Sequence, residues 1–94
     1  MVILRIEHRV PDYEGWKRAF DSDPADRKGS GVRRYTILRG LDDANDVMID
    51  LEFDTKPEAD ALLATMRRVW ERVEGTVMWN PQARIVEVAE HHEL

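Results

Sequence analysis

Residues 6–20 read IEHRVPDYEGWKRAF, and a change of period inside this stretch decides the fold. Up to Val10 the side chains alternate. Val2, Leu4, Ile6, His8 and Val10 share one face of a strand, and Ile3, Arg5, Glu7 and Arg9 share the other. Pro11 then removes a backbone donor, and Asp12 offers a carboxylate suited to an N-cap. Beyond it Tyr13, Trp16 and Phe20 recur at i, i+3 and i+7, the spacing of one helix face. A strand therefore turns a tight corner straight into an amphipathic helix.

Asp23-Pro24 has the pattern of a second cap with proline at the first helical position. It predicts that the helix breaks and restarts near Asp23 and ends at KGSG, 28–31. Residues 32–39, VRRYTILR, read as a second strand and 47–53, VMIDLEF, as a third. GLDDAND between them is the loop of an antiparallel hairpin. Thr55 and Glu58, with Pro57 between them, form a capping-box pattern. The helix they open carries Ala59, Leu62, Leu63, Met66, Val69, Trp70 and Val73 on one stripe, with Gly75 as its C-terminal cap. After a loop at 76–82, ARIVEVA supplies a fourth strand.

The order β-α-β-β-α-β, joined by right-handed crossovers, predicts a single ferredoxin-like α+β domain over residues 1–94. Its four-stranded antiparallel sheet carries both helices on one face. The chain is 43% hydrophobic and 35% charged, ordinary values for a globular domain with one core. A net charge of -5 argues against nucleic acid and anionic membrane as partners. The absence of cysteine removes disulfides, thiolate metal ligands and a thiol nucleophile, so a cytoplasmic location is the simplest expectation. MVILRIEHRV is too short and too charged for a signal peptide or membrane span.

Period-2 counting places Val32, Arg34, Thr36 and Leu38 on the helix side of the sheet, with Val47, Ile49, Leu51 and Phe53. Polar His8, Arg34 and Thr36 on that face mark either a satisfied network or a cavity open to ligand, because unpartnered polar groups are costly in a core. The opposite face then carries Arg5, Glu7, Arg9, Arg33, Tyr35, Ile37, Arg39, Asp50 and Glu52. The first and third strands are neighbours in this topology, so these charges can pair. That face is either solvated or covered by a partner's sheet, with Ile3, Tyr35, Ile37 and Met48 giving apolar contact. Residues 84–88 divide their apolar side chains between both faces.

Candidate chemistry centres on His8, the one histidine outside the C-terminal tail. An imidazole beside Arg34 has its pKa lowered, which suits a general base near neutral pH. Trp16, Phe20 and Trp70 are either plain core or an aromatic wall for a flat ligand. His91, His92 and Glu93 lie in a tail, and Asp42, Asp43 and Asp46 lack calcium-loop spacing, so no metal site is expected. GxGxxG, P-loop, GxSxG and HExxH patterns are all absent.

EHRVPDYEGWKRAFD, RKGSGVRRYTILRG and VMIDLEFDTKPEADAL together resemble the dimeric α+β barrel superfamily, most of all its small antibiotic-biosynthesis-monooxygenase-like members. The resemblance covers about residues 2–89. It implies a homodimer packed sheet to sheet, and a cavity in each subunit between its sheet and helices. Lining that cavity would be His8, Trp16, Phe20, Arg34, Thr36 and Trp70. It further implies a cofactor-free monooxygenase, an oxidoreductase acting on an aromatic, polyketide-like molecule, with His8 as base and Arg34 stabilising the anion. A non-catalytic ligand-binding or structural homodimer is the alternative. The haem-degrading branch carries asparagine on the first strand and histidine on a helix. Here the strand position is His8 and neither helix has a histidine, which points away from that branch.

Overall fold

The computed structural model describes all residues, Met1–Leu94. β1 (Val2–Arg9) leads into α1 (Tyr13–Asp21), followed by β2 (Arg34–Arg39), β3 (Asp46–Phe53), α2 (Lys56–Val73) and β4 (Trp79–Glu87). The strands form one antiparallel sheet in the order β2-β3-β1-β4, the ferredoxin-like arrangement expected from the sequence. At the start of α1 the Asp12 carboxylate accepts from the Gly15 amide at 3.1 Å. At α2 the Thr55 hydroxyl donates to Glu58 Oε1 (2.9 Å) and caps no backbone amide, so the two side chains of the box bind each other. Gly75, with φ +89°, makes the left-handed turn that leaves α2.

Leu4 and Ile6 of β1 and Val47, Ile49, Leu51 and Phe53 of β3 are buried against α1 Trp16 and against α2 Ala59, Leu62 and Trp70. Both helices therefore cover the same face of the sheet. None of the helices is long and apolar enough to cross a membrane.

Three expectations need correction. The first concerns β2, whose phase is shifted by one residue. Tyr35 pairs with Leu51 and Ile37 with Ile49, so Tyr35, Ile37 and Arg39 face the helices, while Arg34, Thr36 and Leu38 face away. Val32 misled the count because it precedes the strand. Its amide donates to the Arg27 carbonyl (3.0 Å), and its side chain reaches the core from a loop. The second concerns the segment after α1, which forms turns and no second helix. Asp23 (φ +53°) and Asp26 (φ +50°) are left-handed, and the Asp23 carboxylate binds the Arg27 amide at 2.9 Å.

The third concerns β4, which starts at Trp79 and so includes Pro81. As an edge strand it tolerates the missing donor. Its register slips here: Gln82 pairs with Glu7 but Trp79 with Arg9, which leaves Asn80 (φ +50°) and Pro81 opposite His8 in a bulge. Farther along, Ala83 and Ile85 join the inner face, while Arg84 and Val86 lie outside.

The outer face is charged as expected, with a different cast. Arg5 holds Asp50 through two bonds of 2.8 Å, and Arg34 reaches Glu52 at 3.3 Å.

Candidate functional site

Between the inner sheet face and the two helices lies a cavity of about 260 Å³. Its floor includes Ile6, His8 and Ile49 from β1 and β3. Trp16 and Phe20 of α1 form one wall, and Met66 and Trp70 of α2 the other. The helical spacing that makes Trp16 and Phe20 neighbours also stacks them, with ring centroids 5.1 Å apart. The series continues at either end, from Tyr13 to Trp16 (5.7 Å) and from Phe20 to Tyr35 (5.2 Å).

His8 is the single buried polar residue of the chain, at 4% exposure. Strand alternation fixes it inward, and its ring lies 5.4 Å from that of Trp16. Its Nδ1 is buried and has no hydrogen-bond partner. Neutral imidazole has one donor and one acceptor nitrogen, so in either tautomer this atom is unsatisfied within the chain. Burial lowers the imidazole pKa. A contact with the Arg9 backbone, outside hydrogen-bond geometry, and the Asp46 carboxylate raise it more weakly. The result is a neutral ring with a vacant hydrogen-bonding position beside an apolar cavity.

Of the residues singled out in the sequence, His8, Trp16, Phe20 and Trp70 meet around this cavity. Arg34 and Thr36 do not. The shifted phase of β2 puts both on the outer face, where Arg34 is exposed and pairs with Glu52. The expected pairing of His8 with Arg34 is therefore absent.

The cation that does line the cavity is Arg27, which sequence reasoning missed. Its guanidinium lies 3.8 Å from the Phe20 centroid, and Nη1 donates to the Phe20 carbonyl at 2.8 Å. Arg27 sits in a turn defined by two left-handed aspartates and has no periodicity to betray it. Arg72 also borders the cavity, and its sequence signal was readable: it follows Val69 by three positions, beside the apolar stripe of α2.

No cluster of three histidine, cysteine, aspartate or glutamate side chains gathers to hold a metal ion. Asp43 is occupied by the Asn45 amide (3.0 Å) and by Arg9, and these two contacts hold its carboxyl below the usual range.

No family model and no curated protein matches the chain. Solved structures do match it over nearly the full length. SnoaB, a cofactor-independent oxygenase from Streptomyces nogalater, superposes with a TM-score of 0.75 at 14% identity, over 96% of this chain and 94% of that one. A candidate antibiotic biosynthesis monooxygenase from Deinococcus radiodurans gives 0.70 at 13% identity, over 100% and 98%. A dimeric ferredoxin-like protein from an uncultured marine organism gives 0.65 at 9% identity, over 99% and 100%. The chain thus has the ferredoxin-like fold of the antibiotic-biosynthesis-monooxygenase-like proteins. At these identities the likeness is one of fold.

Proposed function

We propose that the cavity binds an enolisable aromatic small molecule and that His8 serves as the base for its cofactor-free oxygenation. One observation carries this reading: the unpartnered Nδ1 of a neutral, buried imidazole beside an aromatic-walled cavity. A vacant position costs about 1–3 kcal/mol in a folded core and is relieved by a ligand hydroxyl. The low pKa keeps the ring unprotonated near neutral pH, as a proton acceptor must be. Removing a phenolic or enolic proton leaves an electron-rich anion that reduces dioxygen. Addition of oxygen at carbon, uptake of the proton and loss of water convert a CH2 group to C=O, with one O2 consumed and one H2O released. Apolar walls favour this course by excluding bulk water from the anion.

The fold likeness to a cofactor-independent oxygenase supports the same reading. Its test is oxygen uptake with a panel of polycyclic phenols, alongside quenching of Trp16 and Trp70 fluorescence. Saturable quenching and uptake that both fail in His8→Phe are expected. Uptake retained in that variant removes His8 from the chemistry.

We further infer a homodimer through the outer sheet face, in which Arg5, Arg34, Leu38, Asp50 and Glu52 meet a second copy. Leu38 remains 41% exposed there on a sheet otherwise covered on one side only. The Arg5–Asp50 and Arg34–Glu52 pairs satisfy four of that face's charges before a partner arrives. A solved relative of this fold is described as dimeric. Sedimentation of a single 11.0 kDa species at micromolar concentration rejects the dimer.

A further inference from the structure

The polar lining of the cavity is one-sided. Apart from His8 and Ser22, the polar side chains on its wall are Arg27 and Arg72, and no carboxylate is among them. The chain as a whole has 19 acidic against 14 basic residues, so a wall with two arginines and no acid runs opposite to its bulk charge. From this asymmetry we infer that the cavity selects aromatic carboxylates, with the carboxylate held by Arg27 at the Phe20 end of the cavity and assisted by Arg72. This specificity rests on the ligand-cavity reading above and names its substrate class.

Arg27 is built for that role. Its side chain is only 16% exposed, and its plane is fixed on the Phe20 ring and by the bond to the Phe20 carbonyl. A guanidinium stacked in this way keeps its remaining N–H groups in a rigid fork, which matches a carboxylate bidentately. Of its five donors, only Nη1 makes a hydrogen bond within the chain. Asp23 forms an ion pair with it through Nη1 alone, which leaves Nε and Nη2 without a partner. The Asp23 carboxylate is 3.5 Å away, is already bound to the Arg27 amide, and is no part of the cavity wall. Arg72 is exposed at the rim and enters none of the ion pairs of the chain.

Ring size follows from volume. About 260 Å³ lies just below the ~300–1,000 Å³ usual for ligand pockets, which favours a compact fused-ring acid.

Calorimetric titration at pH 7.5 and low salt, using 2-naphthoate and the neutral 2-naphthalenemethanol, tests the inference. The carboxylate should bind the native protein roughly tenfold or more tightly, the range for a charge-assisted pair. In Arg27→Gln that ratio should fall toward one while the alcohol binds as before. Arg72→Gln should lower it partly, and Arg27→Lys, with charge but no fork, should leave it intermediate. Equal affinities in the native protein, or a ratio that survives Arg27→Gln, overturn the carboxylate preference while the cavity stands. Failure of both ligands to bind sinks the cavity reading and this one together. Decanoate binding as tightly as naphthoate overturns the aromatic part. If Arg27→Gln does not fold, Arg27→Lys and Arg72→Gln decide, and an unchanged ratio in both rejects the assignment.

Discussion

Replacing His8 with phenylalanine should make this protein more stable. The native Nδ1 is buried without a partner, a defect that costs about 1–3 kcal/mol. Phenylalanine keeps the ring contact with Trp16 and puts C–H edges where the polar atom was. It adds one ring atom, but the cavity lies alongside, so the overpacking expected of a closed core is largely avoided. A net gain of about 1–2 kcal/mol follows, and each kcal/mol raises the melting temperature of a domain this size by about 4–8 °C. Circular dichroism melts at fixed protomer concentration provide the assay.

The same substitution has a pH signature. Because the folded pKa of His8 lies below the ordinary 6.5, the unfolded chain binds more protons between those two values. The stability held by the neutral ring is whole above about pH 6.5 and is lost as pH falls through the window down to the lowered pKa. His8→Phe has no such loss, so its advantage should widen in acid, other titrating groups being common to both proteins. A variant melting several degrees below the native protein at pH 7.5, or a gap that ignores pH, would refute the reasoning.

Other expectations are simpler to check. Asp12→Ala removes the carboxylate that caps α1 and should cost about 1 kcal/mol in denaturant titrations. Phe53→Ala opens the core at a side chain with no exposure and should cost about 3–5 kcal/mol, visible as a large loss of urea midpoint. On the outer face, Leu38→Glu should drive sedimentation from a dimer to the 11.0 kDa protomer, since a buried unpaired carboxylate cannot be accommodated there.

Period and punctuation made most of the fold legible. The alternation of Val2 to Val10, the capped corner at Asp12 and the stripe from Ala59 to Val73 each belong to an element whose local pattern and tertiary burial agree. β2 failed because it is an edge strand with polar residues on both faces. Alternation carries little information in such a strand, and the aromatic partner of Tyr35 lies in a distant helix. For the site, the same contrast holds. His8, Trp16, Phe20 and Trp70 lie on strongly periodic elements, so their meeting could be anticipated. Arg27 is placed by left-handed aspartates and a stacking contact, and the bulge opposite His8 by Asn80 and Pro81. Neither arrangement has a periodic trace in the sequence.

On the proposed function, His8 Nδ1 is a vacant hydrogen-bonding position that a ligand fills. Long-range 1H–15N correlation spectra of the His8 ring, recorded at pH 7.5 with and without a polycyclic phenol, measure it most directly. A neutral ring whose Nδ1 resonance is that of an unbonded nitrogen in the free protein, and shifts markedly when the phenol saturates the cavity, is the predicted result. A ring already hydrogen-bonded at Nδ1 in the free protein, or one whose spectrum does not respond to bound phenol, would contradict it.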